Sequence, residues 1–264
     1  MRRLACPSMH LKWCDTESMV ELAVAVAQRL VADRFPHARA AWLGGSVAAR
    51  LQTATSDLDI TVLLAGPPAP FRASETFSAW PVELFVQTEA SLKRFCELDR
   101  DRRRPTTMRL VGSSIILVDR DGSGRRLQEA LHQADIEGPP PATDVELEAQ
   151  RYAITDLLAD LTAPRSDDEM LAVAAVLAES TASFVLTAHR YWGGSGKWLW
   201  RELTALDNVE HTQYVSTLLG GLRAASAGDP APLRDAATQV LKRHGGAVFD
   251  GFHREGPTPS RGFR

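Results

Sequence analysis

Cysteine is scarce in this chain of 264 residues: Cys6, Cys14 and Cys96 are odd in number, and no CxxC or Cys/His spacing joins them. That argues against a disulfide framework and against a zinc site, and a reducing, cytoplasmic setting is expected. The basic start MRRLACPSMH lacks the apolar stretch of an export signal, so none is expected. No run is read that approaches the roughly 18 apolar residues of a membrane span, and no membrane partner is expected. The histidines (His10, His37, His132, His189, His211, His244 and His253) form no ligand pattern, and there is no internal repeat. What remains, 44% hydrophobic and 24% charged residues, is the composition of a soluble globular protein with room for one large domain or two ordinary ones.

A strong excess of either charge is also missing, since the net charge is −3, but its distribution is uneven. Residues 1–143 carry 18 basic against 17 acidic side chains, residues 144–250 carry 9 against 15, and the tail from 251 carries 3 against 1. An acidic second half repels a polyanion, so no nucleic acid is expected as the main partner. It suits a cationic small molecule better, although ordinary solubilising charge explains it as well.

The pattern along the chain predicts an α+β protein: a mixed sheet with flanking helices, then a helical bundle. Met19, Val20, Ala23, Ala27, Leu30 and Val31 recur at helical spacing, which predicts a helix from Thr16 to Phe35 capped by Asp15 or Thr16. Apolar residues 40–43 lead to Gly44-Gly45-Ser46, a short helical stretch (47–52) and a polar turn. From Asp57 to Leu64 the chain alternates and predicts a half-buried strand; further strands are expected at 82–86 and 114–118, and helices at 89–99 and 123–134. EGPPPAT (137–143) is a proline-rich break, after which strand signals stop and helices are expected at 144–161, 168–192, 197–206, 209–225 and 232–244. The expected division is a catalytic domain at 1–137, a bundle at 144–250 on the acceptor side, and a mobile tail at 251–264.

The segment LGGSVAARLQTATSDLDITVLL (43–64) carries the chemistry. A strand that runs into Gly-Gly-Ser at a helix start offers backbone N–H groups to a phosphate, and glycine lets that phosphate come close. Asp57 and Asp59, two apart on a strand, project from one face and would repel each other unless a divalent cation lay between them. Glu83 shares a face with Phe85 and Gln87 in WPVELFVQ; if that strand pairs beside Asp57–Leu64, a third carboxylate joins the pair. Phosphoryl-type transfer needs little beyond such positioning and charge neutralisation.

Gly44-Gly45-Ser46, ten intervening residues, then Asp57-Leu58-Asp59-Ile60 resembles the signature of the DNA polymerase β-like nucleotidyltransferases. An α/β half followed by an acidic helical half is similar to their aminoglycoside and lincosamide branch. The resemblance implies that Asp57 and Asp59 bind Mg²⁺, that Gly45 and Ser46 hold the phosphates of an NTP such as ATP, and that Glu83 is the third acidic position. Glu83 is then either a metal ligand or the base that accepts a hydroxyl proton. The implied acceptor is a small hydroxylated molecule, an aminoglycoside-like antibiotic among the options, and the branch allows a cleft shared between two copies of the chain.

In the helical half the resemblance implies that Lys197, in HRYWGGSGKWLWREL, reaches the triphosphate; solvation of Lys197 and core packing of Tyr191, Trp192, Trp198 and Trp200 is the alternative. For Asp160, with Asp156 one turn before it, the resemblance implies an acceptor-binding or proton-accepting carboxylate; an exposed helix face explains the pair equally well. RDRRR (100–104) lacks interleaved aromatics and reads as a solvated loop. Arg109 is a candidate nucleotide contact for which no spacing argues. Two other functions stay open: a protein-modifying, antitoxin-type nucleotidyltransferase, and a catalytically silent nucleotide-binding module.

Overall fold

A computed structural model describes residues 16–53 and 55–256. Asp15, offered above as a cap, Cys6, Cys14 and the tail from residue 257 lie outside the described residues. The chain divides into two compact units between Glu137 and Gly138.

In the first unit, β1 (Ala40–Leu43), β2 (Leu58–Leu63), β3 (Phe71–Phe77), β4 (Trp80–Gln87) and β5 (Ile115–Asp119) form one sheet in the order β3-β4-β2-β1-β5. The β2–β4 pair is parallel and the other three pairs are antiparallel, so the sheet is mixed. Helix α1 (Thr16–Arg34) lays Ala23, Val26, Ala27, Leu30 and Val31 on one face, against Leu43, Leu58, Ile60, Val62 and Val86. On the other face Ala40, Trp42 and Leu63 pack with Leu92 of α3 (Glu89–Asp101) and Val111 of α4 (Thr106–Gly112), and with Leu127 and Leu131 of α5 (Ser123–Glu137).

This two-sided cover corrects the expectation of a half-buried strand. In β2 every residue except Asp59 is buried, including Thr61 and Leu63. Alternation in the sequence thus marks which residues face α1, while the other face is covered by α3, α4 and α5 beyond its open end at Asp59. β3 and α4 are additions to the expected elements, and the short helix after Gly44 is α2 (Gly45–Ala48) rather than 47–52.

Among the described residues the second unit has helices as its regular elements: α6 (Asp144–Asp160), α7 (Asp167–Ala188), α8 (Lys197–Glu210), α9 (Tyr214–Ser226) and α10 (Ala231–Arg243). Its core gathers Ile154, Leu177, Phe184, Leu203, Leu218, Leu233 and Leu241 around α7. By length and composition α7 is apolar enough to cross a membrane, which corrects the reading that no segment approaches that; 56% of its apolar window is buried inside the unit. The helix expected from Val209 starts instead at Tyr214. The Asp207 carboxylate accepts the Tyr214 and Val215 N–H groups, both at 2.9 Å, so it caps α9, and His211 in the left-handed region ends α8. Phe252 stacks on Tyr152 at 4.0 Å, so the chain is still packed inside the stretch expected as a tail.

Buried Asp99 sets the start of α4, accepting N–H bonds from Thr107 at 2.6 Å and Met108 at 3.1 Å. Burial outweighs those bonds and pushes its pKa up from 3.8 to about 6. A carboxyl raised in the folded state favours folding most while protonated, and that contribution is lost as pH rises from about 4 to about 6. Asp99→Asn keeps an acceptor oxygen without the charge. Its stability relative to wild type should therefore rise across that window, by no more than about 3 kcal/mol. Urea melts at several pH values between 4 and 7 check this; a difference constant with pH contradicts it.

Candidate metal and nucleotide site

The site lies at the open end of the sheet face where β2 and β4 run side by side. Their parallel register sets Asp59 opposite Glu83 and Leu58 opposite Val82. Residues opposite each other project from the same face, and Asp57 precedes Asp59 by two, so three carboxylates converge. Oxygens of Asp57, Asp59 and Glu83 lie within 4.8 Å of one another, and all three residues are partly buried. Oxygen donors at that spacing are what a hard divalent cation takes as ligands.

Backbone geometry fixes the near wall. The Gly44 N–H donates to the Asp59 carbonyl at 2.8 Å, tying the Gly-Gly turn to β2. A Cβ at Gly44 would come 2.6 Å from the Leu110 carbonyl oxygen, so α4 packs directly on the glycine backbone. Gly45 has φ +66°, and a Cβ there would fall 1.8 Å from Asp59 Oδ2. Only glycine satisfies both the left-handed backbone and the adjacent carboxylate. A carboxylate able to take a metal, bordered by bare backbone, fits a site that admits both a cation and the anion it carries.

The Ser46 hydroxyl donates to Ser56 Oγ at 3.0 Å, and Ser56 Oγ accepts the Thr53 N–H at 2.8 Å. This chain of hydroxyls binds α2 to the turn ahead of Asp57 and so steadies the first carboxylate. Glu83 is held by Arg72, whose Nη2 donates to both carboxylate oxygens at 2.8 and 2.7 Å. Neither Ser56 nor Arg72 was singled out in the sequence. The alternation of Phe71, Ala73, Glu75 and Phe77 with Arg72, Ser74 and Thr76 is the signal that would have drawn attention to Arg72.

The cluster is built from the first unit alone. Of the other expected residues, Asp160 is exposed at the end of α6, Asp156 is exposed one turn before it, and Lys197 is exposed at the start of α8. All three belong to the second unit. Trp192 is buried, Tyr191 and Trp200 pack partly buried against the core, and Trp198 is exposed with the Arg201 guanidinium over its ring at 4.8 Å. Arg109 pairs with Asp135 at 3.0 Å. His189 and His244, distant in sequence, meet with ring centroids 5.2 Å apart, and His189 Nδ1 lies 2.7 Å from a Glu210 oxygen.

Gly45→Ala tests the near wall. Strain at φ +66° should cost about 1–2 kcal/mol, and displacement of Asp59 should weaken Mn²⁺ binding roughly tenfold or more. Gly66→Ala, where a Cβ meets nothing within 4 Å, should change neither. Calorimetry and thermal melts on the two variants check it; unaltered Mn²⁺ affinity in Gly45→Ala contradicts the geometry.

No protein-family model matches the chain, and no curated protein matches it in sequence. Among solved structures it is similar to a nucleotidyltransferase-like protein from Exiguobacterium sibiricum 255-15, over 85% of this chain and 80% of that one, at 12% identity and a TM-score of 0.38. A likeness that loose carries no weight for chemistry, which is read from the residues themselves.

Proposed function

We propose that the chain is a divalent-metal-dependent nucleotidyltransferase that moves a nucleoside monophosphate from an NTP to a hydroxyl group, releasing pyrophosphate. The observation that carries this reading is the convergence of Asp57, Asp59 and Glu83 within 4.8 Å, bordered by the Cβ-free backbone of Gly45. Asp57 and Asp59 hold the cation, with Glu83 as third ligand or as proton acceptor. When bound, Mg²⁺ supplies neutralisation of triphosphate charge and lowers the pKa of an attacking hydroxyl.

The chain's residues supply position and a proton sink. Gly45 and Ser46 hold the phosphates. The acceptor oxygen forms a bond to the α-phosphorus in line with the departing oxygen, the α–β bridge breaks, and pyrophosphate leaves with the bonding electrons. The hydroxyl proton passes to Glu83 or to a carboxylate of the acidic half such as Asp160. Lys197 is the cationic candidate from that half for the triphosphate. ATP is the expected donor. The acidic balance of residues 144–250 favours a cationic small acceptor, aminoglycoside-like compounds included.

A pyrophosphate-release screen of NTPs against hydroxylated acceptors tests the reaction. Asp57→Asn and Asp59→Asn should each lower turnover roughly a hundredfold or more with circular dichroism unchanged. Wild-type turnover in either variant contradicts the assignment. Label from ATP that ends on a polypeptide redirects it to a protein acceptor, and tight NTP binding without metal dependence or turnover marks a silent binding module.

A further inference from the structure

Arg72 stands on β3, the edge strand, with its guanidinium anchored at two points. Nη2 donates to both oxygens of Glu83, and Cζ lies 5.0 Å from the centroid of the Phe85 ring. In the antiparallel register Arg72 is opposite Phe85 and Ser74 is opposite Glu83, so the ion pair runs diagonally across two strands. The same face carries Asp59 opposite Glu83 on β2, so the guanidinium borders the carboxylate cluster. Nη1 and Nε of Arg72 make no hydrogen bond to the described residues, which leaves most of its donor fork unused.

The pair is exposed, with Arg72 61% and Glu83 27% accessible. Such pairs are weak, and a divalent cation competes well for the same oxygens. Nη2 engages both oxygens of Glu83, so a cation that takes either oxygen breaks at least one of the two bonds, and repulsion between the two positive groups loosens the other. The ring of Phe85 gives the displaced guanidinium a second foothold beside the site. A planar fork held there is matched to phosphate oxygens.

We propose that Arg72 is a triphosphate-binding side chain parked on Glu83: metal entry takes over the carboxylate, and the guanidinium, kept near by Phe85, turns its donors to the nucleotide phosphates. The proposal rests on the nucleotidyltransferase reading above. It makes Arg72 a competitor of the cation when no nucleotide is present and a partner of the nucleotide once the cation is seated.

Calorimetry with Mn²⁺ alone, and with Mn²⁺ plus a non-hydrolysable ATP analogue, separates these roles in wild type, Arg72→Gln, Arg72→Lys and Asp57→Asn. Arg72→Gln should bind Mn²⁺ alone roughly two- to fivefold more tightly, and the analogue roughly ten- to a hundredfold more weakly. Arg72→Lys should recover part of the analogue affinity. Unchanged or weaker Mn²⁺ binding in Arg72→Gln, or unchanged analogue binding, overturns the proposal and leaves the metal site standing. Wild type that binds Mn²⁺ no better than Asp57→Asn overturns the underlying reading and the proposal with it.

Discussion

Oxygens of three carboxylates lie within 4.8 Å of one another, and the first unit fixes the backbone positions from which they converge. At that distance each pair costs about 1 kcal/mol in water-like surroundings and more where burial lowers the dielectric. The cost is carried by β2, which is buried on both faces everywhere except at Asp59, and by its parallel register with β4, which fixes Asp59 opposite Glu83. Side chains on two central strands cannot relax by a shift of register without moving Leu58, Ile60 and Val62 out of the core. Within the cluster, Glu83 already carries one compensating positive charge, the guanidinium of Arg72.

The surroundings extend this rigidity to the glycine turn. Asp99 caps α4, the backbone of α4 at Leu110 lies against Gly44, and Gly44 bonds to the carbonyl of Asp59. A helix cap thus reaches the carboxylate cluster through a run of backbone contacts that leave no room for Cβ atoms. The hydroxyl chain Ser46–Ser56–Thr53 plays the corresponding part for Asp57. A site preorganised by backbone and short hydroxyls keeps its geometry while its long side chains, Glu83 and Arg72, exchange partners.

The sheet-then-helices architecture was legible because strand alternation and helical spacing separate at the proline-rich break near residue 140. Asp57 and Asp59 could be read as sharing a face from strand phase alone. The approach of Glu83 could not, since it depends on β4 lying parallel beside β2, and local sequence carries no information about which strands pair. β3 escaped notice for a different reason. Its hairpin turns at Ser78 and Ala79, with φ of 50° and 67°, where Gly or Asn would be the recognisable residues. With the hairpin unread, Arg72 had no strand to stand on. The full burial of β2 was likewise hidden, because Thr61 and an alternating pattern suggest one wet face, whereas α3, α4 and α5 cover it. The start of α9 is not legible in sequence, because Asp207 reads as an ordinary helix-surface acid while its carboxylate accepts two N–H bonds from the next helix.

In the proposed site Asp57 and Asp59 hold one divalent cation together with a nucleotide, with Glu83 beside them as third ligand or proton acceptor. Anomalous diffraction from crystals grown with Mn²⁺ and a non-hydrolysable ATP analogue tests it most directly. The expected result is an anomalous peak with oxygens of Asp57 and Asp59 at about 2–2.3 Å, Glu83 turned toward it, and phosphate oxygens completing its coordination. A Mn²⁺ ion bound through the nucleotide alone, with Arg72 still seated on Glu83 and both aspartates turned away, would contradict it.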